Sequence, residues 1–241
     1  MSQGDGMNAD LKVLIANAMQ SVMEDLGPKF ERASGQKLAI TFATLGQHVK
    51  RVQAGEASDV LIIPEPGIET LVKDGKASAA NVTVVARSST GVAVRKGAAK
   101  PDISSAEALK LTLLAARSIT YPNPARGGPS GPHLVGIFER LGIADEMKAK
   151  TVFLPDGGPV GVLVANGEAE IAIHEFQQLI QVPCIEIVGP LPRDLQNSVV
   201  FAAAIMNGTK YGEASKLLVD FLRTPEAAAV IKAKGMEPAI P

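Results

Sequence analysis

The feature that most constrains this chain is an alternation that occurs twice. Short apolar runs rich in branched residues are each followed by a longer stretch of helical period. Leu11–Ala16, Leu38–Ala43 and Val60–Ile63 read as buried strands. Met19 to Ala33 reads as an amphipathic helix, because Met19, Val22, Met23, Leu26 and Phe30 recur at three-and-four spacing, and Gly35 suits its stop. His48–Ala54 and Thr70–Asp74 read as shorter helices. Such a β-α-β-α-β run predicts parallel strands with helices on both faces. After two strand-like pieces, Val82–Ala86 and Gly91–Val94, the alternation starts again. Helices are expected at Ser105–Leu114, Ser130–Leu141 and Val160–Asn166, between strands at Ser118–Tyr121, Lys150–Leu154, Ala169–His174 and Ile185–Val188. Val199–Met206 is one more strand. Helices at Lys210–Arg223 and Pro225–Lys234 are expected to finish the chain with no sheet left to make.

The expected fold class is therefore α/β and two-lobed, each lobe a mainly parallel sheet flanked by helices. The 241 residues suffice for two cores. With crossings near 84–95 and 196–204, residues 1–85 and 197–241 would form a discontinuous lobe one and residues 86–196 lobe two. Ligands of open α/β sheets bind outside the carboxyl ends of the strands, and two lobes are expected to present two such edges to a shared cleft.

Composition narrows the function. Lys and Arg number 24 against 25 Asp and Glu, so no basic field exists to hold nucleic acid or an anionic membrane. Aromatics are 4% with no Trp, which argues against a base-stacking platform. The single Cys184 excludes an intrachain disulfide and a thiolate cluster, and no base is evident near it. His48, His133 and His174 lack zinc-site spacing, so neither a metal nor a cofactor is expected. No run of 18 apolar residues calls for membrane insertion. The amino terminus has no basic n-region and no signal-peptide core, so the chain reads as cytoplasmic as it stands, or periplasmic if a leader was removed.

The most informative segment is Tyr121–His133, YPNPARGGPSGPH. Glycine and proline make it a stiff turn with open backbone N–H groups, between a strand and a helix whose N-terminus suits an anion. Gly127, Gly128 and Gly131 would offer backbone donors, Ser130 a hydroxyl and Arg126 a bidentate cation. The bland reading is a rigid loop in which Ser130 only caps the helix. A second glycine turn, Asp156–Pro159, offers Gly158 as a further donor, or is an ordinary connection. His174 and Glu175 fall at the end of an apolar strand, where a charge needs solvent or a partner. That partner could be Arg126, making the pair structural. His133, three residues into its helix, either faces the ligand or packs, whereas His48 reads as a solvated or half-buried helix residue. Pro64-Glu65-Pro66 and Pro190-Leu191-Pro192 read as rigid connectors.

Residues 11–238 resemble the molybdate-binding-protein-like branch of the type II periplasmic solute-binding proteins. The segments that carry this are LKVLIANAMQSVMEDLGPKFERASG, QAGEASDVLI, YPNPARGGPSGPH, VANGEAEIAI and LVDFLRTPEAAAVIKAKGMEP. The resemblance implies that loops after the first two strands meet the ligand, here through Asn17, Ala18, Thr44, Leu45 and Gly46, with Gln47 beside them. In the family, serine hydroxyls there and a tyrosine in the second lobe hold a tetrahedral oxyanion. Here Ala18, Leu45 or Gly46, and Glu175 stand in those places. An acceptor carboxylate in exchange for neutral donors disfavours molybdate or sulfate.

The expectation is therefore a solute-binding protein for a small anion, in particular an organic carboxylate. An ABC transporter permease would be its partner if the protein is exported. Aconitate isomerase shares this fold, so the alternative is a cofactor-free isomerase of a small polycarboxylate, with Glu175, His174 or His133 as proton carrier. A molybdate- or tungstate-type oxyanion receptor is the weaker alternative.

Overall fold

A computed structural model describes residues 10–126, 130–155 and 158–239. Among the described residues ten strands are present: β1 Leu11–Ala16, β2 Leu38–Ala43, β3 Val60–Pro64, β4 Ala77–Ser88, β5 Thr90–Arg95, β6 Ile119–Thr120, β7 Ile171–Glu175, β8 Ile185–Pro190, β9 Val199–Met206 and β10 Glu237–Pro238. They form two sheets in an α/β fold, and the chain divides into two units. The first runs to Arg87 and resumes at Val199; the second spans Ser88–Ser198.

In the first unit the sheet order is β10-β4-β9-β3-β1-β2. β1 lies parallel to both β2 and β3, as a βαβ run requires, whereas β9 lies antiparallel to β3. β1 and β3 read as near-continuous apolar runs because helices cover both of their faces: Val13, Ile15, Leu61, Ile62 and Ile63 are all fully buried. The helix Gln20–Ser34 packs Met23, Leu26 and Phe30 into this core and stops at Gly35, whose φ of 74° is the left-handed conformation that favours glycine. Phe30 meets Phe221 of the helix Gly212–Phe221 at 5.6 Å between ring centroids.

In the second unit the order is β6-β7-β5-β8, with β5 antiparallel to both neighbours and β6 parallel to β7. Alternate residues of β5 and β7 serve opposite faces, as the two-residue period of a strand dictates. Val92, Val94, Ile171 and Ile173 pack with Leu109, Leu113, Ile137 and Phe138 on one face. Ala93 and Ala172 pack with Val160, Leu163 and Val164 on the other. Tyr121 closes the first of these cores, edge-on to Phe138 and Phe153 at 5.3 and 5.2 Å.

Several elements differ from expectation. Lys150–Leu154 is not a strand. Lys150 ends a helix, Ala144–Lys150, with Asp145 and Glu146 in its first turn and Lys148 and Lys150 in its last, which suits the helix dipole. The Lys150 ammonium donates to the carbonyls of Leu113, Leu114 and Ala116, sealing the end of the helix Ala106–Ala115, and only Thr151 bridges to Ile119. The tail does make sheet: β10 pairs antiparallel with β4. The helix expected over Thr70–Asp74 starts earlier, as Glu65–Lys73, because Pro66 fits its first turn. Pro64 and Pro190 end strands.

His48 is fully buried, not solvated. It sits on the helix Leu45–Gln53, and its Nε2–H donates to the carbonyl of Ile15 at 2.8 Å, tying that helix to the end of β1. Nδ1 is buried without a hydrogen-bond partner among the described residues. Burial above all holds the ring below its ordinary value of 6.5, so it folds neutral. The unfolded chain takes up the proton first on acidification. The stability His48 contributes is therefore complete above about pH 6.5 and is lost as pH falls through the depressed folded value. Thermal unfolding scans from pH 8 downward should show this loss, and His48→Gln, whose amide can still donate to Ile15, should flatten it.

Candidate functional site

β7 delivers Glu175 to its carboxyl end, buried with 8% exposure. A carboxylate in that position must be paired. Ser130, at the start of the twelve-residue helix Ser130–Leu141, donates its hydroxyl to Glu175 Oε1, and His174 Nδ1 contacts Oε2. Burial pushes the Glu175 carboxyl upward, but the hydrogen bond and the positive charge of a protonated His174, with hydrogen bonds from Ser130 and its own backbone, outweigh it. The net result is a pKa below the ordinary carboxylate value, so Glu175 is an anion at neutral pH.

The same His174 Nδ1 lies 2.7 Å from the backbone nitrogen of Glu175. With a proton on Nδ1 the ring donates to the carboxylate, and without one it accepts the amide N–H. Each tautomer of His174 thus has a partner within one residue. The ring is half-buried.

Polar residues that the sequence patterns did not single out fix this strand end. Gln177, just beyond Glu175, accepts from the Ser88 hydroxyl, and both are buried. Thr90 stands opposite Glu175 in the β5–β7 register. The Gln196 amide clamps Thr90 by accepting from its N–H at 2.8 Å and donating to its carbonyl at 2.9 Å. Their only sequence signal was a polar residue bordering an apolar run.

The remaining candidates of this unit divide. Gly131 is needed where the helix meets the preceding loop, since a Cβ there would lie 2.5 Å from the Pro122 carbonyl oxygen. Arg126 is exposed and donates to the Pro155 carbonyl; it does not pair with Glu175, whose partners are Ser130 and His174. His133 is half-buried on the same helix, and its Nε2 is buried with no hydrogen-bond partner among the described residues. Gly158 is exposed with φ of 113°. Gly127, Gly128 and Gly157 lie outside the described residues. Cys184 is exposed in a turn with φ of 64°.

In the first unit, β1 and β2 end side by side, Ala16 in register with Ala43. β1 runs into the short helix Asn17–Met19, with Asn17 exposed and Ala18 half-buried, and β2 into the N-terminus of the helix Leu45–Gln53. Thr44 and Gln47 are engaged in capping that helix: Gln47 N–H donates to Thr44 Oγ1, and Thr44 N–H to Gln47 Oε1 at 3.0 Å. Leu45 is half-buried and Gly46 exposed in its first turn.

The model of the family described as bacterial extracellular solute-binding protein matches residues 11–237. The chain belongs to this family. Within it the chain falls in the molybdate-binding-protein-like, type II branch. It is 32% identical to an aconitate isomerase of a Pseudomonas species, over 95% of this chain and 87% of that protein. It is 27% identical to the molybdate-binding protein ModA of Azotobacter vinelandii, over 94% of this chain and 89% of that one. Among solved structures, a substrate-binding domain provisionally assigned to a molybdenum ABC transporter of Clostridium difficile superposes with a TM-score of 0.82 at 14% identity, covering 95% of this chain and 98% of that one. Among the described residues, no helix of this solute-binding protein is long and apolar enough to cross a membrane.

The capping box makes one expectation quantitative. Thr44→Ala removes the acceptor for the Gln47 N–H and should lower unfolding stability by about 1 kcal/mol in urea titrations, with the m-value unchanged.

Proposed function

We propose that this protein binds a small organic polycarboxylate at the carboxyl end of β7 and that the His174–Glu175 pair moves a proton on it. The observation that carries this reading is the hydrogen-bonded set of Ser130, Glu175 and His174. An ionised, buried carboxylate repels any anion placed directly against it, so it serves better as a partner to a proton-carrying group than as a direct ligand contact. The same carboxylate suits an imidazole that must gain and lose a proton, because it stabilises the imidazolium that forms. The two partners of Nδ1 add to this, since a proton can pass through the ring without leaving a buried orphan. Identity of 32% to an aconitate isomerase along nearly the whole chain supports the same reading.

The chemistry is an allylic shift. His174 Nε2 takes a proton from the methylene carbon next to the substrate's double bond. The C–H electrons form the new double bond, and the electrons of the old one accept the proton at its far end. Nothing is oxidised or reduced. Charge that builds on the substrate carboxylates in the transition state would be met by Arg126 and by donors around Ser130 and Gly131. His133, with its unpaired Nε2 one turn along the helix from Ser130, would add a further donor or relay.

Reversible capture without chemistry is the second reading. Its own support is the pair of helix starts at the adjacent ends of β1 and β2, an arrangement that suits an anion, and the family match. In that reading an ABC transporter permease would be the partner.

Proton NMR in D₂O separates the readings. With an aconitate isomer as substrate, solvent deuterium should appear in the ligand and the second isomer should grow. His174→Asn should slow both by about a hundredfold or more, and Glu175→Gln should also reduce them. Full exchange in Glu175→Gln would remove that residue from the mechanism. Ligand broadening without exchange would establish capture, and a thermal shift from molybdate alone would restore the oxyanion receptor. Separately, Arg126→Ala should weaken polycarboxylate binding by about tenfold in calorimetry, the effect of one lost charge-assisted contact.

A further inference from the structure

The sheet of the second unit is narrow at the end of β7 that carries His174 and Glu175. β6 pairs with β7 only at Ile171 and Ala172, so from Ile173 to Glu175 the strand partner among the described residues is β5 alone. Resting on the β7 reading for the chemistry it serves, we propose that Gln196 is a positioning residue for the His174–Glu175 pair. Its side-chain amide replaces a missing length of β8 beside Thr90, and so holds the one strand that holds the pair.

Register is the first observation. Thr90 is the β5 residue opposite Glu175. The Phe176 N–H donates to the Ser89 carbonyl at 3.0 Å, which makes Thr90 and Glu175 a non-hydrogen-bonded pair. In such a pair the two side chains share a face, with Cβ atoms about 4.5–5.5 Å apart, and the backbone N–H and C=O groups point away from each other. Those of Thr90 therefore point toward β8. But β8 ends at Pro190, opposite Gly91, and proline has no N–H to give. Past it, only the Leu191 N–H follows the ladder, reaching the Thr90 carbonyl at 3.0 Å.

The clamp is the second observation. Gln196 Oε1 accepts from the Thr90 N–H at 2.8 Å, and Nε2 donates to the Thr90 carbonyl at 2.9 Å. Two bonds exchanged with one residue are what a neighbouring strand supplies in a hydrogen-bonded antiparallel pair. A primary amide can do this because it carries a donor and an acceptor side by side. Thr90 is buried, so water does not readily replace either bond. Gly91 adds no stiffness of its own: it stands opposite His174 without a side chain, and a Cβ there would lie 2.9 Å from the Phe176 ring. The bond from Ser88 to Gln177 secures the flank toward β7 but touches neither Thr90 nor the pair. The backbone under Glu175 matters because one carboxylate must stay within reach of Ser130 and His174 at once. A misplacement of about 1 Å at a reacting group can cost about a hundredfold in rate.

The test uses the full chain with nitrogen-labelled histidines, first by NMR without any ligand and then in aconitate exchange in D₂O. In Gln196→Ala the ring nitrogens of His174 should shift, because the carboxylate is no longer held at one distance from Nδ1, while those of His48 in the first unit should not. Gln196→Glu keeps the size and the acceptor for the Thr90 N–H but sets a lone pair against the Thr90 carbonyl, so at neutral pH it should behave like Gln196→Ala. Asn197→Ala, at an exposed neighbour, should change nothing. In exchange kinetics both Gln196 variants should lower kcat by about ten- to a hundredfold with KM within about twofold, the mark of lost geometry and not of a lost binding contact. His174 nitrogens unmoved in both Gln196 variants would overturn the proposal. So would equal shifts at His48, which would show a general loosening of the fold. If the parent protein exchanges no deuterium, the β7 chemistry fails, and the His174 nitrogens still decide whether Gln196 positions the pair.

Discussion

One buried negative charge organises the second unit. Glu175 closes an otherwise apolar strand, so its carboxylate loses water and must recover hydrogen bonds from the protein. Ser130 and His174 provide them, and each is thereby fixed in place. The start of the helix Ser130–Leu141 is held against the end of β7, and the His174 ring is oriented with its far nitrogen turned away from Glu175. Around this point the polar residues Ser88, Thr90, Gln177 and Gln196 tie together the stretches of chain that enter and leave the unit. A fully satisfied network of this kind is rigid, whereas a half-satisfied one would be a weakness.

The first unit is organised by burial on both faces of β1 and β3. With helices above and below, the only polar atoms these strands leave open are at their ends. Each end then becomes a place where backbone donors, caps and charges gather. At the carboxyl end, Thr44 and Gln47 cap one helix and His48 anchors it to Ile15. At the amino end, Asp59 joins β1 to the segment after β9, and three lysines stand around it.

Much of the fold was legible because the sequence repeats its alternation with little interruption. β1, β2 and the helix Ser130–Leu141 stand where strand and helix periods place them. The misreadings have local causes. Lys150–Leu154 looks like an apolar strand, but the charge order of residues 145–150 favours a helix, and Lys150 is recruited by three carbonyls from a distant segment. β10 is only two residues long and exists because β4 offers it an edge. His48 reads as surface because its neighbours Gln47 and Lys50 are exposed; its burial follows from a contact 33 residues away.

By itself, the sequence determined the α/β alternation, the apolar strand cores, the glycine stops and the absence of a net charge that could attract a polyanion. These depend on spacing and composition, which are local properties. It also singled out Ser130, His174 and Glu175 as chemistry-bearing residues, but not their relation. Only the tertiary structure decided that Glu175 bonds to Ser130 and His174 and that Arg126 turns to Pro155, or that Thr44 serves as a cap. The reason is physical: a buried charge takes whichever donor the packing brings within reach, and packing joins residues that the chain keeps far apart.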